Sequence, residues 1–364
     1  MKQVVYFQYQ KAKALYTKFE RWLMPLTLLV GFVIDYLTFV SINVNTALWL
    51  LGAYLALLGF FIAFINLYDA GVLGSRLKWL RLYSPLALQF FFGGVLGNSF
   101  IFYWFSSSLY VSWPFIFLFV VLMVFNDVFR HEFLKLKYQI PFYCFLSFSV
   151  FSVVLPFALK SLNPYFFVLA GILALLYSLL FYWAIAVFTK PNKTTTFFAG
   201  IVSFVVFFTM NGLYFFNLVP PVPLVVRESL PAYGLERKNG TYVLKVEEQS
   251  LWQKLGWQKT MYVKTGERVY VFSAIYSPSN LNTKILHEWE YKDPKTKAWV
   301  AKDKLEFNLV GGRVEGFRGY SWKTNLNEGD WRVYIKTLRG QTVGRVDFTV
   351  KKSDKTPDLI ELVK

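Results

Sequence analysis

The sequence contains very little cysteine or histidine, with one Cys and two His among its 364 residues. The single thiol, Cys144, lies in an apolar run, so the chain forms no intramolecular disulfide and no zinc site built on several cysteines. Phosphate-binding loops, dinucleotide-binding glycine patterns, HExxH and GxSxG motifs are also missing. We therefore find no recognisable catalytic centre, and we expect neither a cofactor nor a metal.

Apolar residues, by contrast, are abundant. Hydrophobic residues make up 55% of the chain and aromatic residues 20%, and the mean hydropathy is +0.39. This composition is too apolar for an ordinary soluble protein, so part of the chain is expected to lie in a lipid bilayer. The length also allows a second, separate domain.

Seven segments are long and apolar enough to cross a bilayer as helices, because a span needs about 20 such residues. They cover approximately residues 22–43, 46–68, 84–105, 110–129, 140–159, 164–188 and 197–216. No cleavable signal peptide is evident, so we interpret the first segment as a retained span. The sequence thus predicts a seven-span helical bundle over residues 22–217.

The positions of the basic residues predict the orientation of these spans. Thirteen Lys and Arg lie in residues 1–21 and in the second, fourth and sixth connections, whereas the other three connections contain only Lys160. Basic segments resist translocation and remain in the cytoplasm. We therefore expect a cytoplasmic N-terminus and a C-terminal region on the opposite side of the membrane.

The formal net charge of +17 does not indicate nucleic-acid binding. Residues 1–217 contain 14 Lys and Arg against 5 Asp and Glu, and residues 218–364 contain 25 against 17. Neither half concentrates its charge in the basic arm or patch that nucleic-acid recognition requires. We expect the lipid bilayer, and no nucleic acid, as a partner.

The sequence pattern changes after residue 217. The PPVP run at 220–223 cannot continue a helix, and we assign residues 218–240 to a Pro-rich linker. Apolar and polar residues then alternate at 304–309, 331–337 and 345–350, which is typical of half-buried strands. Seven or eight strands over residues 241–350 predict an all-β, immunoglobulin-like sandwich, followed by a loose tail at 351–364.

Several short strings occur together in this order. They are GFVID at 31–35, FYWFS at 102–106, Asn126 with Arg130, PPVP at 220–223, HEW at 287–289, Arg318 with Ser321 and Lys323, GDWRV at 329–333, Gly340 and Phe348. In these strings the chain resembles bacterial membrane proteins of the domain of unknown function 2914 family (DUF2914), through a C-terminal domain at about 268–350 and a similar multi-span N-terminal half. The resemblance implies a bacterial inner (plasma) membrane location with a periplasmic C-terminal domain, and it implies no activity.

Polar residues inside the predicted spans form a first set of candidate site residues: Asp35, Gln89, Asn98, Asn126 and Arg130. An ionised Asp35 in the first span is costly unless it is paired or faces water, which makes it a functional candidate. The set either converges on a polar cavity or forms interhelical hydrogen bonds of about 1 kcal/mol each. Both interpretations remain open from the sequence.

A second candidate set lies in the β-rich region and consists of His287, Trp289, Arg318, Ser321, Lys323 and Trp331. Because side chains alternate along a strand, His287 lies on the same face as Trp289. We expect this face to be buried. A hydrogen-bonded core histidine is therefore favoured over a catalytic base. Arg318, Ser321 and Lys323 suit an anion or sugar contact, with a solvated strand face as the alternative.

Two functional hypotheses follow. The first is a non-enzymatic envelope protein whose membrane anchor presents a β-sandwich to a protein or glycan partner. The alternative is a transporter or membrane-embedded enzyme that uses the intramembrane polar residues around Asp35. Signalling is disfavoured, because the cytoplasmic connections are short and contain no kinase, cyclase or helix-turn-helix pattern.

Overall fold

The computed structural model describes residues 44–128, 132–238, 240–247, 259–277, 281–310, 316–353 and 357–364, together with Leu26, Val30 and Val33. The chain divides into two compact units. The first is helical and extends to Phe216; the second contains the β-strands from residue 217 onward, and residues 105–113 and 160–162 also belong to it. The predicted order of apolar helices followed by a β-rich region is confirmed.

Six α-helices lie within the described part of the first 216 residues. They are α1 (Val44–Asp69), α2 (Lys78–Phe105), α3 (Leu109–Val128), α4 (Leu136–Leu159), α5 (Pro164–Thr189) and α6 (Lys193–Phe215). Each overlaps almost the whole of one predicted span, from the second to the seventh. Five are long and apolar enough to cross a membrane, and α3 contains a shorter apolar segment at Leu109–Phe125. The first predicted span, at 22–43, lies outside the continuously described residues.

Asparagine caps fix where the last two helices begin. The side chain of Asn163 accepts a hydrogen bond from the backbone N–H of Tyr165 at 3.0 Å, and Pro164 occupies the first turn of α5. The side chain of Asn192 accepts from the backbone N–H of Thr195 at 2.8 Å at the start of α6. Both arrangements satisfy N–H groups that have no partner within the helix.

Helix α4 contacts α1, α5 and α6. One close approach is at Gly171 of α5, where an added Cβ atom would lie 2.7 Å from the ring of Phe148 on α4 and 2.9 Å from the ring of Phe207 on α6. Small residues at such points allow helix backbones to pack closely in a bilayer. Gly171 is therefore part of the packing between these three helices.

Replacing Gly171 by alanine is expected to reduce the unfolding free energy of the helical unit by about 1–3 kcal/mol, because the new methyl group overpacks the two phenylalanine rings. The matched control is Gly52→Ala in α1, where the added Cβ meets no atom within 4 Å. Both variants gain the same helix propensity, so their difference isolates the packing cost. Unfolding in mixed detergent micelles, followed by circular dichroism, measures the unfolding free energy of both variants. Equal stability of the two variants would contradict the close packing at Gly171.

Eleven strands are present in the described residues after 217. They are β1 (Val225–Ala232), β2 (Gly234–Lys238), β3 (Thr241–Glu247), β4 (Lys259–Val263), β5 (Arg268–Tyr276), β6 (Asn282–Lys292), β7 (Trp299–Val310), β8 (Phe317–Thr324), β9 (Gly329–Thr337), β10 (Thr342–Lys352) and β11 (Leu359–Val363). We call this region, from Val225 to Val363, the β domain.

The β domain is wider than the predicted 241–350. Strands β1 and β2 lie inside the predicted linker, because the Pro-rich run ends at Pro223 and the following residues pair with β5 and β3. Strand β11 lies in the predicted tail, where Leu359–Val363 pairs with β3. Pro231 is accommodated in β1 because this strand is at the edge of its sheet, where a missing N–H is tolerated.

The strands form three sheets. The large sheet has the order β4-β10-β9-β6-β7, the middle sheet β1-β5-β8, and the small sheet β11-β3-β2. The pair β4 and β10 is parallel, and the other pairs in these sheets are antiparallel. The predicted immunoglobulin-like topology is not established by this strand order and stays a prediction.

Strand β5 contributes to two cores. Val269, Val271 and Ile275 pack with residues of the large sheet, whereas Phe272 and Ala274 pack with residues of the small sheet. This follows from the alternation of side chains along a strand. The middle sheet is therefore packed on one face by the large sheet and, over β1 and β5, on the other face by the small sheet.

Candidate functional site

The intramembrane candidates do not form a single site in the described part of the chain. Asp35 and Arg130 lie outside the described residues, and of Asn126 only the backbone, in α3, is described. Gln89 and Asn98 are both buried in α2, nine residues apart, which corresponds to about 13 Å along a helix. Asn98 donates to the carbonyl of Gly94 in its own helix at 3.0 Å, so its side chain has a local partner.

Gln89 lines a cavity of about 20 Å³ between α1, α2 and α4. Gln139 lines the same cavity, and its Oε1 accepts a hydrogen bond from Asn66 Nδ2 at 2.6 Å. The side-chain NH₂ groups of Gln89 and Gln139 are buried and have no hydrogen-bond acceptor among the described residues. A cavity of this volume holds about one water molecule, whose oxygen would accept from these donors. Its size suits a structural water and not a transported solute.

The β-domain candidates include a buried hydrogen-bonded cluster at the interface of the large and middle sheets. His287 of β6 is fully buried; its Nε2 lies 3.0 Å from Ser273 Oγ of β5, and its Nδ1 lies 2.8 Å from Ser321 Oγ of β8. Trp289 donates its indole N–H to the same Ser321 Oγ at 2.9 Å. A serine hydroxyl both donates and accepts, so either neutral tautomer of the imidazole satisfies both contacts. The cluster ties β6 to β5 and β8.

Burial lowers the pKa of His287 from 6.5 to about 3. The imidazole is therefore neutral at physiological pH, with both nitrogens occupied by serine hydroxyls and no access to solvent. A general base must reach the proton of a substrate, and His287 cannot. The predicted interpretation of a hydrogen-bonded core histidine agrees with this geometry.

Two other candidates also have internal roles. Trp331 of β9 is 1% exposed, and its indole N–H donates to the carbonyl of Asn327 at 2.9 Å. Lys323 of β8 forms an ion pair with Asp303 of β7. The predicted partner-binding residues His287, Trp289, Ser321 and Trp331 have side chains that are buried in the β domain. Arg318 is half-buried on β8, opposite Ala274 of β5.

The outward face of the large sheet carries charges that are paired with one another. Glu288 is buried and lies 3.0 Å from Lys304 Nζ, with Lys336 as a second partner; Glu290 binds Arg332 at 2.6 Å. Burial raises the pKa of Glu288, but the hydrogen bonds from Lys336 and Lys304 outweigh it, so its pKa lies below the usual range. These groups form a cross-strand network in which the acidic partners are already occupied.

A different surface lies on the other face of β8. Tyr320 and Trp322 are 40% and 43% exposed, and they neighbour Tyr270 of β5 and Tyr242 of β3, whose rings lie 6.3 Å and 6.0 Å from that of Tyr320. The guanidinium of Arg268 lies 4.3 Å from the centre of the Trp322 ring. We call these five residues the aromatic shelf.

Residues 282–350 match a family model described as "Protein of unknown function (DUF2914)". The match covers strands β6 to β10 and supports the resemblance for this part of the β domain. No curated protein matches the chain significantly. Within the described residues, no group of three or more His, Cys, Asp or Glu side chains could hold a metal ion.

The matched segment contains His287, Trp289 and Ser321 of the buried cluster but not Ser273, and it contains two of the five shelf residues. The predicted site residues include His287, Trp289, Ser321 and Trp331. They do not include the two exposed aromatic residues of β8, Tyr320 and Trp322. Side chains alternate between the two faces of a strand, so the inward position of Ser321 places Tyr320 and Trp322 on the opposite face of β8. Alternation therefore places both aromatic residues on the outward face, whereas their exposure depends on how far the small sheet covers that face.

Proposed function

We propose that the protein is a non-enzymatic envelope protein of a bacterial inner membrane, in which seven spans anchor a periplasmic β domain that binds a protein or glycan partner. The observation that carries this proposal is the aromatic shelf. Exposed clusters of large aromatic side chains mark interaction sites, and Tyr, Trp and Arg are the residues most enriched at the centres of interfaces. The buried and neutral state of His287 supports a binding role over a catalytic one.

The proposed orientation rests on the distribution of basic residues described above. The proposal includes a first span at 22–43, which gives an odd number of crossings. It also takes the large and middle sheets as an immunoglobulin-like sandwich to which the small sheet is added.

The test is amine crosslinking on cells whose outer membrane has been permeabilised, with a crosslinker that cannot cross the inner membrane. We expect the full chain to form adducts with an envelope component, and a variant lacking residues 218–364 to form none. A membrane-permeant crosslinker of the same length is the control. Adducts that form only with the permeant reagent would place the β domain in the cytosol and contradict the orientation; adducts that persist in the deletion variant would contradict the role of the β domain.

The rival hypothesis assigns the activity to the helical unit and to the polar residues around Asp35. The cavity lined by Gln89 and Gln139 is the observation that favours it, but its volume matches a single water molecule. An Asp35→Asn variant distinguishes the two hypotheses. If it abolishes the cellular function while the β-domain adducts form normally, the rival is favoured.

A further inference from the structure

We propose that the aromatic shelf binds an acidic glycan, meaning a polysaccharide whose sugar rings carry carboxylate groups. This inference rests on the proposed function and specifies the ligand class and the site. The shelf consists of Tyr242, Tyr270, Tyr320, Trp322 and Arg268, as defined above.

The shelf is open because of the way the sheets are layered. The small sheet packs on β1 and β5 of the middle sheet, where Leu230, Phe272 and Ala274 are buried. Strand β8 is the edge strand of the middle sheet, and its side chains on this face extend beyond that cover. Tyr320 and Trp322 are therefore exposed on β8, and Tyr242 of the small sheet lies next to Tyr320.

The arrangement of the rings suits a chain of sugars. Tyr320 and Trp322 are two residues apart on one strand, which places them about 6.6 Å from each other. Trp322 lies directly opposite Tyr270, whose ring lies 6.3 Å from that of Tyr320, so the aromatic surface extends from β8 onto β5 at Tyr270. Sugar rings present C–H groups on their flat faces, and these pack on the electron-rich faces of aromatic side chains. Neighbouring rings of an extended polysaccharide can then occupy neighbouring aromatic residues.

The charges of the shelf favour an acidic ligand. Among the described residues, neither Arg268 nor Arg237, which lies 5.9 Å from the ring of Tyr242, has a carboxylate partner. Glu236, next to Arg237 in the strand, points to the opposite face and pairs with Lys238 and Lys245. Guanidinium groups bind carboxylates in a bidentate manner, with hydrogen bonds stronger than those between neutral groups.

The absence of a described carboxylate partner at Arg268 distinguishes the aromatic shelf from the large sheet. On the large sheet, Arg332 also lies over an aromatic ring, 4.1 Å from the centre of Trp299, but Glu290 already occupies its guanidinium. The shelf thus offers neighbouring aromatic rings and guanidinium groups without a carboxylate partner among the described residues. A polysaccharide with carboxylates has sugar rings that pack on the aromatic rings and carboxylates that bind the guanidinium groups.

The test measures binding of three polymers to the detergent-solubilised full chain. Polygalacturonic acid carries sugar rings and carboxylates, its methyl ester carries the rings without the charge, and poly-L-glutamate carries the charge without the rings. We expect polygalacturonic acid to bind about tenfold more tightly than either control polymer. Equal binding of poly-L-glutamate would overturn the proposal, because it would show a purely electrostatic interaction; equal binding of the methyl ester would overturn the assignment of an acidic ligand.

Three variants locate the site. Trp322→Ala and Tyr320→Ala are expected to weaken binding of polygalacturonic acid by about tenfold each, and Arg268→Gln is expected to remove the preference over the methyl ester. Trp299→Ala, which disrupts the matched Arg–Trp pair on the large sheet, is expected to leave binding unchanged. If the three shelf variants resist proteolysis like the wild type and still bind normally, the site is wrong.

The crosslinking experiment separates failure of this inference from failure of the proposed function. If no polymer binds but the full chain still forms β-domain-dependent adducts, the proposed acidic-glycan ligand is refuted and the proposed binding function is retained. A protein adduct that is lost in Trp322→Ala would assign the shelf to a protein partner and overturn the glycan. Loss of both polymer binding and adducts in the wild type would overturn both proposals.

Discussion

Replacing Trp289 by alanine is expected to reduce the unfolding free energy of the β domain by about 3–5 kcal/mol. The side chain is fully buried, and its ring packs edge-on against those of Trp331 and Phe348, with centroid distances of 6.4 Å and 6.1 Å. Its removal leaves a cavity between the sheets and takes one hydrogen bond from Ser321. Pulse proteolysis of the solubilised chain across a urea series measures the change.

The control for this prediction is Trp322→Ala. Trp322 belongs to the same segment and has the same side chain, but 43% of it is exposed, so its truncation is expected to cost clearly less than that of the fully buried Trp289. A similar loss of stability in the two variants would contradict the layered packing described above.

Acidification is expected to destabilise the β domain through His287. The folded pKa of about 3 lies below the value of 6.5 in an unfolded chain, so between these values the unfolded state binds more protons. Stability is therefore fully present above pH 6.5 and falls by about 1.4 kcal/mol per pH unit as the pH drops toward 3. At pH 5 the loss from this residue is about 2 kcal/mol. Urea midpoints by pulse proteolysis at pH 7.5 and pH 5 test this.

A His287→Gln variant isolates the contribution of the imidazole from that of other titrating groups. The amide remains neutral at both pH values and still offers a donor and an acceptor to Ser273 and Ser321. We expect the variant to lose about 2 kcal/mol less than the wild type between pH 7.5 and pH 5. The same pH dependence in both chains would show that His287 is not buried in a neutral form.

The helices were predictable because a bilayer imposes a simple physical requirement. A segment such as Pro164–Thr189 is both long enough to span and apolar throughout, and Asn163 and Pro164 mark its start. The strands β9 and β10 were also predictable, since they alternate between the core and the surface; in β7 only Phe307 and Leu309 follow the predicted alternation, because Leu305 is 37% exposed. In contrast, β1 contains Pro231 and follows a Pro-rich run, and β11 is a five-residue strand near the C-terminus, so pairing with distant strands and not local pattern decides both.

The candidate site could be predicted only in part. Alternation placed His287 and Trp289 on the buried face, and the structure agrees. Ser321 and Trp331, which belong to the same predicted binding set, are buried as well. Which outward aromatic residues remain exposed depends on how far the small sheet covers the middle one. That coverage is a tertiary property, and no sequence window around Tyr320 contains it.

Strand β5 has a consequence for how the β domain loses its structure. It supplies side chains to the core shared with the large sheet and to the core shared with the small sheet, so neither core stays intact once this strand detaches. The eleven strands are therefore expected to melt in one cooperative transition, and the small sheet does not behave as an independent subdomain.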